Sequence, residues 1–193
     1  MLWKLRVTHL FIPESSKILA ISSTFKLLFL AYAARNCCGN RKKALVLVGD
    51  GSLRGQMQDF IDAHGLKSVY FMGFQNRNDV NDFSAPADIV ALPDHRETCG
   101  LVVNEALSFS LPVVVSDQVG ASVDLVIPDE IGYISPAGEI PALADQISKL
   151  LGLPGQDREK MKEKSYSLIK DWSNRDLAVP LGGFLDSIYQ AQS

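Results

Sequence analysis

The chain has 193 residues, enough for one domain with a sizeable hydrophobic core. Its 47% hydrophobic and 21% charged residues are typical of a soluble α/β protein and exclude a disordered or fibrous one. The 19 basic and 22 acidic residues give a net charge of −3, which argues against nucleic acid or an anionic membrane as the partner.

The first 36 residues are the part of the chain that the sequence defines least. Residues 18–22 are predicted to form a strand, and residues 25–35 a helix with Thr24 as its cap. An alternative is a secretory signal, in which basic residues precede the same apolar stretch, although Lys26 interrupts it. A membrane-spanning helix is disfavoured because the stretch is short and contains that lysine.

Apolar runs alternate with amphipathic segments along the rest of the chain. Strands are predicted at residues 44–48, 69–72, 89–92, 113–115 and 132–134, and helices at 53–64, 77–84, 120–127, 142–151, 157–171 and 174–190. Ser52 and Gly65 are the expected N-cap and C-cap of the first of these helices. Continuous apolar strands that alternate with helices predict a single α/β domain, residues 1–193, with a Rossmann-like, doubly wound parallel sheet.

The most informative stretch is residues 93–107, which lies between the strand at 89–92 and a helix starting near Gly100. Glu97 in the loop and Glu105 in the helix stand eight residues apart. The unpaired N–H groups of a helix start attract anions. Carboxylates on either side of an anion site suit a ligand with both phosphate and hydroxyl groups, such as a nucleotide sugar.

This stretch resembles the Glu-x7-Glu signature of the retaining glycosyltransferases of family 4. These enzymes have the GT-B fold, in which two Rossmann-like domains face each other across a cleft. The likeness covers roughly residues 40–190 and matches the C-terminal, donor-binding domain of that family. The resemblance therefore implies retaining transfer of a hexose from a UDP- or GDP-linked sugar, without a metal or other cofactor.

The resemblance also implies roles for individual residues. Glu97 is the expected catalytic residue, contacting the hydroxyl groups of the donor sugar, and Glu105 is expected to bind the ribose. The sugar and phosphates are expected to meet the backbone between these two residues. The donor-binding residues implied there are Thr98, Cys99, Gly100, Leu101 and Val102.

The Gly-Asp-Gly turn at residues 49–51 has two interpretations besides a tight turn that needs glycine. A dinucleotide site would need an acidic residue at the end of the next strand, which the sequence lacks. In the resembled family, the turn lines the donor cleft. The resemblance therefore assigns Gly49 and Gly51 to the donor site, and Phe74 and Gln75 to the surroundings of the nucleobase.

The sequence departs from the family at the cations that bind the pyrophosphate. The family usually has an Arg, and a Lys about five residues later, after its first strand. In one alignment Lys17 stands for the Arg, and in the other Lys26 keeps the Lys. Only one cation survives in either case, and losing the other is expected to slow transfer by about 10²-fold or more.

The acceptor domain of the family should precede this domain by about another 180 residues. Since the chain begins at Met1 and runs almost at once into donor-domain sequence, we expect it to bind nucleotide sugar but, alone, not to transfer sugar. The acceptor, a sugar or a lipid, would then be held by a separate chain. The alternatives are a non-catalytic fragment that acts with a partner chain and a nucleotide-binding regulatory module.

The cysteines suggest where the protein resides. Cys37, Cys38 and Cys99 are an odd number without a metal-ligand spacing, which favours a reducing compartment. We therefore expect a cytoplasmic protein, and peripheral attachment to a membrane stays open as a variant of that expectation.

Overall fold

The computed structural model describes residues 16–21, 43–66, 68–76, 82, 84–170, 172 and 188–189. Six strands form one sheet in the order β3-β2-β1-β4-β5-β6, and every neighbouring pair is parallel. The strands are β1 (Ser16–Ile21), β2 (Lys43–Val48), β3 (Val69–Gly73), β4 (Ile89–Leu92), β5 (Val113–Ser116) and β6 (Gly132–Ser135). This confirms the predicted parallel sheet and the position of each predicted strand.

Five helices lie in the described part of the chain. They are α1 (Arg54–Ala63), α2 (Leu101–Ser108), α3 (Ala121–Leu125), α4 (Ile140–Gly152) and α5 (Gly155–Ile169). The predicted helix at 25–35, most of the one at 77–84 and nearly all of the one at 174–190 lie outside the described residues. Among the described residues, no helix is both long and apolar enough to cross a membrane.

The two ends of α1 each lie one residue away from the predicted caps. Ser52 is not the N-cap, since that position falls to Leu53, whose side chain makes no capping hydrogen bond. The C-cap is His64 rather than Gly65, so the predicted stop is one residue late; Gly65 follows it with φ +61° and its N–H donating to the carbonyl of Asp62 at 3.2 Å. Only glycine adopts that φ without a steric cost, which is why the glycine marks the end of the helix to within one residue.

Alternate residues of each strand point to opposite faces of the sheet, and each face is covered by helices. On one face, Ile18 and the residues on neighbouring strands that point the same way, such as Leu45 and Ile89, pack with Ile147 of α4 and Met57 of α1. Leu19 and its equivalents pack with Leu107 of α2 on the other face, together with apolar residues of α3. Strands buried on both faces must be apolar throughout, which explains the continuous apolar runs.

The strand order reverses between β1 and β4, because β2 follows on one side of β1 and β4 lies on the other. Open parallel sheets bind their ligands beyond the carboxyl ends of the strands at such a switch point. The loops after β2 and β3 therefore flank one side of a crevice, and the loops after β4, β5 and β6 flank the other. Strands β2 and β4 are two spacings apart, or about 10 Å.

Candidate functional site

The loop at residues 93–100 follows β4 and carries Glu97. One carboxylate oxygen of Glu97, Oε1, accepts hydrogen bonds from the N–H groups of Cys99 (3.2 Å) and Gly100 (3.1 Å). Gly100 is the N-cap of α2 and has φ +73°. The carboxylate therefore stands at the positive end of the helix dipole, bound to two of the amides predicted to meet phosphate.

The next amides of α2 are those of Leu101 and Val102. They precede the first helical hydrogen bond, which runs from the N–H of Val103 to the carbonyl of Gly100 at 2.8 Å. Donors at this position are not used by the helix, so a phosphate or another anion fits there. The anion site stays a prediction, and of its four amides those of Cys99 and Gly100 bind Glu97 instead, which leaves those of Leu101 and Val102 for it.

Glu105 lies on α2, four residues after Leu101, so both are on the same face of the helix. The opposite face is anchored in the core by Val103, Ala106 and Leu107. Glu97 and Glu105 are both partly buried. The structure therefore brings the two predicted carboxylates onto one loop–helix unit, at either end of the helix start.

The loop after β5 holds the Glu97 loop from the side. The N–H of Glu97 donates to the carbonyl of Gln118 at 3.1 Å, and the N–H of Gly120 donates to the carbonyl of Glu97 at 2.8 Å. The hydroxyl of Ser116 donates to the carbonyl of Asp94. At Gly120 the fit is so close that an added Cβ would lie 2.1 Å from the carbonyl oxygen of Thr98.

The loops after β2 and β3 form the other side of the crevice. The N–H of Gly49 donates to the carbonyl of Gly73 at 2.9 Å, so the Gly49–Gly51 turn lies beside the end of β3. Phe74 follows directly and is 82% exposed, whereas the side-chain amide of Gln75 turns back to the carbonyl of Met72. Gly49, Phe74 and Gln75 therefore lie close together, and their contact with a donor stays a prediction.

Arg54 is a cation on this side that the sequence analysis missed. Its guanidinium lies 5.4 Å from the centre of the Phe71 ring and 3.9 Å from the carboxylate of Asp50. The spacing of four residues between Asp50 and Arg54 at a helix start could have drawn attention to this pair.

The assignment of Lys17 to the pyrophosphate is wrong. Lys17 pairs with Ala44 near the amino end of β1, and the strand continues to Ile21. Four further residues of strand put it about 13 Å from the carboxyl end where the site lies. Lys26, the alternative, is five residues beyond Ile21 in the sequence but lies outside the described residues.

The comparison with protein families identifies the family of this chain. Residues 24–168 match the model of the family described as "Glycosyl transferases group 1". The chain belongs to that family. The matched segment contains the residues of the crevice described above, including both carboxylates.

This chain matches only part of the length of its curated relatives. An alpha-D-kanosaminyltransferase from Streptomyces kanamyceticus is 28% identical over 72% of this chain and 36% of its own length. A GDP-mannose-dependent alpha-mannosyltransferase from Mycobacterium tuberculosis is 32% identical over 55% of this chain and 27% of its own. The chain thus spans about a third or less of either relative.

Solved structures show the same fold. The C-terminal domain of a glycosyl transferase group 1 family protein from Francisella tularensis has a TM-score of 0.73 at 22% identity, covering 82% of this chain and 86% of that domain. Anabaena HepE, solved with UDP and glucose, has a TM-score of 0.72 at 24% identity, covering 88% of this chain and 49% of HepE. The described sheet and helices are therefore one Rossmann-like half of a GT-B fold.

Proposed function

We propose that this domain is the donor-binding half of a retaining family 4 glycosyltransferase that moves a hexose from a nucleotide sugar to an acceptor hydroxyl. The observation that carries the proposal is the Glu97 carboxylate at the start of α2, with Glu105 on the same helix. Both stand at the switch point of the sheet, where ligands of such folds bind.

A nucleotide sugar would lie across the crevice. The nucleobase would rest near Phe74 and Gln75, and Glu105 would accept hydrogen bonds from the ribose hydroxyls. The amides of Leu101 and Val102 would meet the diphosphate, and Glu97 would face the sugar. The span of about 10 Å between β2 and β4 is one that a nucleotide can bridge.

The amides of Cys99 and Gly100 have a different role in this proposal than the sequence suggested. They hold the carboxylate of Glu97 in place, so that its position does not depend on the ligand. A fixed negative charge beside the sugar favours the positive charge that develops on the ring as the bond to the leaving group breaks. The dipole of α2 favours the negative charge on the diphosphate.

The reaction breaks the bond between the anomeric carbon and the diphosphate oxygen and forms a bond from that carbon to the acceptor oxygen on the same face. The leaving phosphate takes the acceptor's proton. The domain contributes orientation and electrostatic stabilisation. Of the two lysines, Lys26 is the remaining candidate for the cation beside the diphosphate, since Lys17 lies near the amino end of its strand.

The relatives support a nucleotide-sugar donor without fixing its base. One curated relative is named for GDP-mannose, and one structural relative was solved with UDP and glucose. Both names fit a domain that binds a sugar linked to a nucleoside diphosphate. UDP- and GDP-linked hexoses are therefore the donors to test first.

Calorimetric titration with UDP-, GDP- and ADP-sugars, beside the free nucleoside diphosphates, tests the proposal directly. We expect one nucleotide series to bind, and the sugar-linked form to bind more tightly than the free diphosphate. Glu105→Gln should lower the affinity for the nucleotide at least about tenfold, because it removes charge-assisted hydrogen bonds worth roughly 1.5–3 kcal/mol each. Absence of binding in all series, or an unchanged dissociation constant in the variant, would contradict it.

Transfer requires an acceptor hydroxyl held beside the anomeric carbon, a contribution of about 7–11 kcal/mol. We propose that a second, acceptor-binding half supplies it, in keeping with the small share of the curated relatives that this chain spans. The 193-residue chain should then bind donor without sustained transfer to acceptors in a mixed extract. Multiple turnovers by the purified chain would show that the acceptor half is not needed. Binding by a chain that stays inactive even with such a half present would favour the non-catalytic alternative.

A further inference from the structure

The turn at Ala137 and Gly138, after β6, is contacted from the ends of two other strands. The N–H of Ala137 donates to the side-chain oxygen Oδ1 of Asp117, which follows β5, at 3.0 Å. The ring of His95, which follows β4, lies against Gly138. Three consecutive strands of the sheet therefore end in loops that meet at this one turn.

A side chain at Gly138 would have to displace the ring of His95. A Cβ added to Gly138 would lie 2.6 Å from Cε1 of His95 and within 3.6 Å of both ring nitrogens. Gly138 also has φ +87°, which non-glycine residues rarely adopt. Although His95 is exposed overall, this edge of its ring is in direct contact with the backbone of the turn.

His95 and Asp117, which contact the turn, are each connected to Glu97 through only a few residues. His95 precedes Glu97 by two residues in the same loop. Asp117 is bonded to Gln118, whose carbonyl accepts the N–H of Glu97 at 3.1 Å. The N–H of Asp117 itself donates to the carbonyl of Ser135 at the end of β6, at 2.9 Å. A shift of the turn would thus move the Glu97 loop from two sides.

We propose that Asp117 and His95 are positioning residues, which act through the Ala137–Gly138 turn to hold Glu97 where the donor sugar needs it. Neither is required to touch the donor. The inference rests on the proposed function only in its last step, the contact between Glu97 and the sugar. The positioning of the loop itself is a property of the protein without ligand.

A double-mutant cycle of Gly138→Ala and His95→Ala tests the path through His95. The readout is sugar discrimination, the ratio of the dissociation constant of UDP to that of UDP-glucose, or of GDP to that of GDP-mannose. Gly138→Ala should lower this ratio at least about threefold, and its effect should be smaller once His95→Ala has removed the overlapping ring. The cost of the positive φ is common to both backgrounds and cancels in the cycle.

Two further variants separate positioning from general destabilisation. Gly65→Ala introduces a comparable strain at φ +61°, at the end of α1, where nothing lies within 4 Å of the added Cβ. It should lower the melting temperature and leave sugar discrimination unchanged. Asp117→Ala should lower discrimination, and Asp117→Asn should largely restore it, because the amide oxygen can still accept the N–H of Ala137.

Amide hydrogen exchange, followed by NMR in the protein without ligand, gives the second readout. We expect faster exchange at Cys99 and Gly100 in Gly138→Ala and Asp117→Ala, and wild-type rates there in Gly65→Ala. If the wild type binds no nucleotide sugar, the proposed function fails, while the exchange rates still decide the positioning. Unchanged exchange at Cys99 and Gly100 in Gly138→Ala and Asp117→Ala would overturn the inference. So would an equal loss of affinity for the free and the sugar-linked nucleotide.

Discussion

The two sides of the crevice are built differently. On the side of β4, β5 and β6, backbone and side-chain hydrogen bonds tie the Glu97 loop to its neighbours. A side chain at Gly120 would overlap the backbone of Thr98, and one at Gly138 would displace the ring of His95. On the side of β2 and β3, a backbone hydrogen bond joins Gly49 to Gly73, Arg54 pairs with Asp50, and the ring of Phe74 is 82% exposed.

This difference matches the chemistry proposed for each side. Charge develops on the sugar and the diphosphate during transfer, and electrostatic stabilisation is most effective when the charged groups are already in place. A nucleobase undergoes no reaction and needs only to be held. We therefore expect changes that displace the Glu97 loop to alter sugar discrimination and loop order, and changes on the β2 side to alter nucleotide affinity alone.

The largest effect is expected from Gly120→Ala. The new Cβ would overlap the carbonyl oxygen of Thr98, a backbone atom that can move only with the whole loop. Sugar-nucleotide affinity should fall by at least about tenfold, and the melting temperature by several degrees, since overpacking costs about 1–3 kcal/mol. Calorimetry and thermal melting measure both.

Gly55→Ala is the matched control for this change. Gly55 lies in α1, and nothing stands within 4 Å of a Cβ placed there. The variant should melt at the wild-type temperature or slightly above it, because alanine favours the helix. A Gly120→Ala protein that binds and melts like this control would mean that the Glu97 loop tolerates displacement.

Glu97 should have two roles that substitutions can separate: it stabilises the start of α2, and it contacts the donor sugar. Glu97→Ala removes the acceptor for two amides at a helix start, which costs about 1 kcal/mol, or roughly 2–4 °C in a domain of this size. Glu97→Gln keeps an acceptor oxygen and should melt closer to the wild type. Both should weaken the binding of nucleotide sugar and spare the free diphosphate. If both ligands lose affinity equally, Glu97 does not contact the sugar.

The secondary structure and the loop–helix unit at residues 93–107 could be predicted because their signals are local. Strands buried on both faces must be apolar, and the loop–helix unit that carries Glu97 and Glu105 is continuous in sequence. The family resemblance rests on this same stretch. Lys17 was expected near the diphosphate from one alignment with the family, and the apolar run alone, from residue 18, was taken as the strand. The strand begins at Ser16, before its apolar part, so Lys17 is inside it at the end away from the site.

The contacts that brace the site could not be predicted in this way. His95 meets Gly138, and Asp117 meets Ala137, only because β4, β5 and β6 are neighbours in a fixed parallel register. Apolar runs identify strands but do not specify which loop atoms meet beyond their ends. In the sequence, Gly138 cannot be told from any other turn glycine. Its contact with the ring of His95 is seen only in the folded structure.

Phe74→Ala is expected to lower the affinity for the nucleotide moderately, without changing the discrimination for the attached sugar. Stacking of a base on an aromatic ring is worth about 1–3 kcal/mol, so affinity for the nucleotide and for the nucleotide sugar should fall together, by roughly fivefold or more. The melting temperature should not change, because the ring is 82% exposed. A selective loss for the sugar-linked form would place Phe74 beside the sugar and would contradict the division between the two sides.

The smallest effect is expected away from both sides, at the turn before β6. There the hydrogen bond from Lys149 to Asp129, at 2.9 Å, holds the pKa of that exposed carboxyl below its ordinary value of 3.8. A lowered pKa in the folded state stabilises the protein above pH 3.8, and the contribution is lost as the pH falls through the folded-state pKa.

Asp129→Asn removes this carboxylate with little strain, because asparagine tolerates the φ of +64° found there. It should lower the melting temperature at pH 7 by about a degree or less, since exposed ion pairs contribute little. The difference from the wild type should shrink as the pH drops below about 4. Donor affinity should be unchanged, as the turn lies at the amino end of β6. A Tm difference that persists at low pH would show that Asp129 acts through its backbone turn rather than its charge.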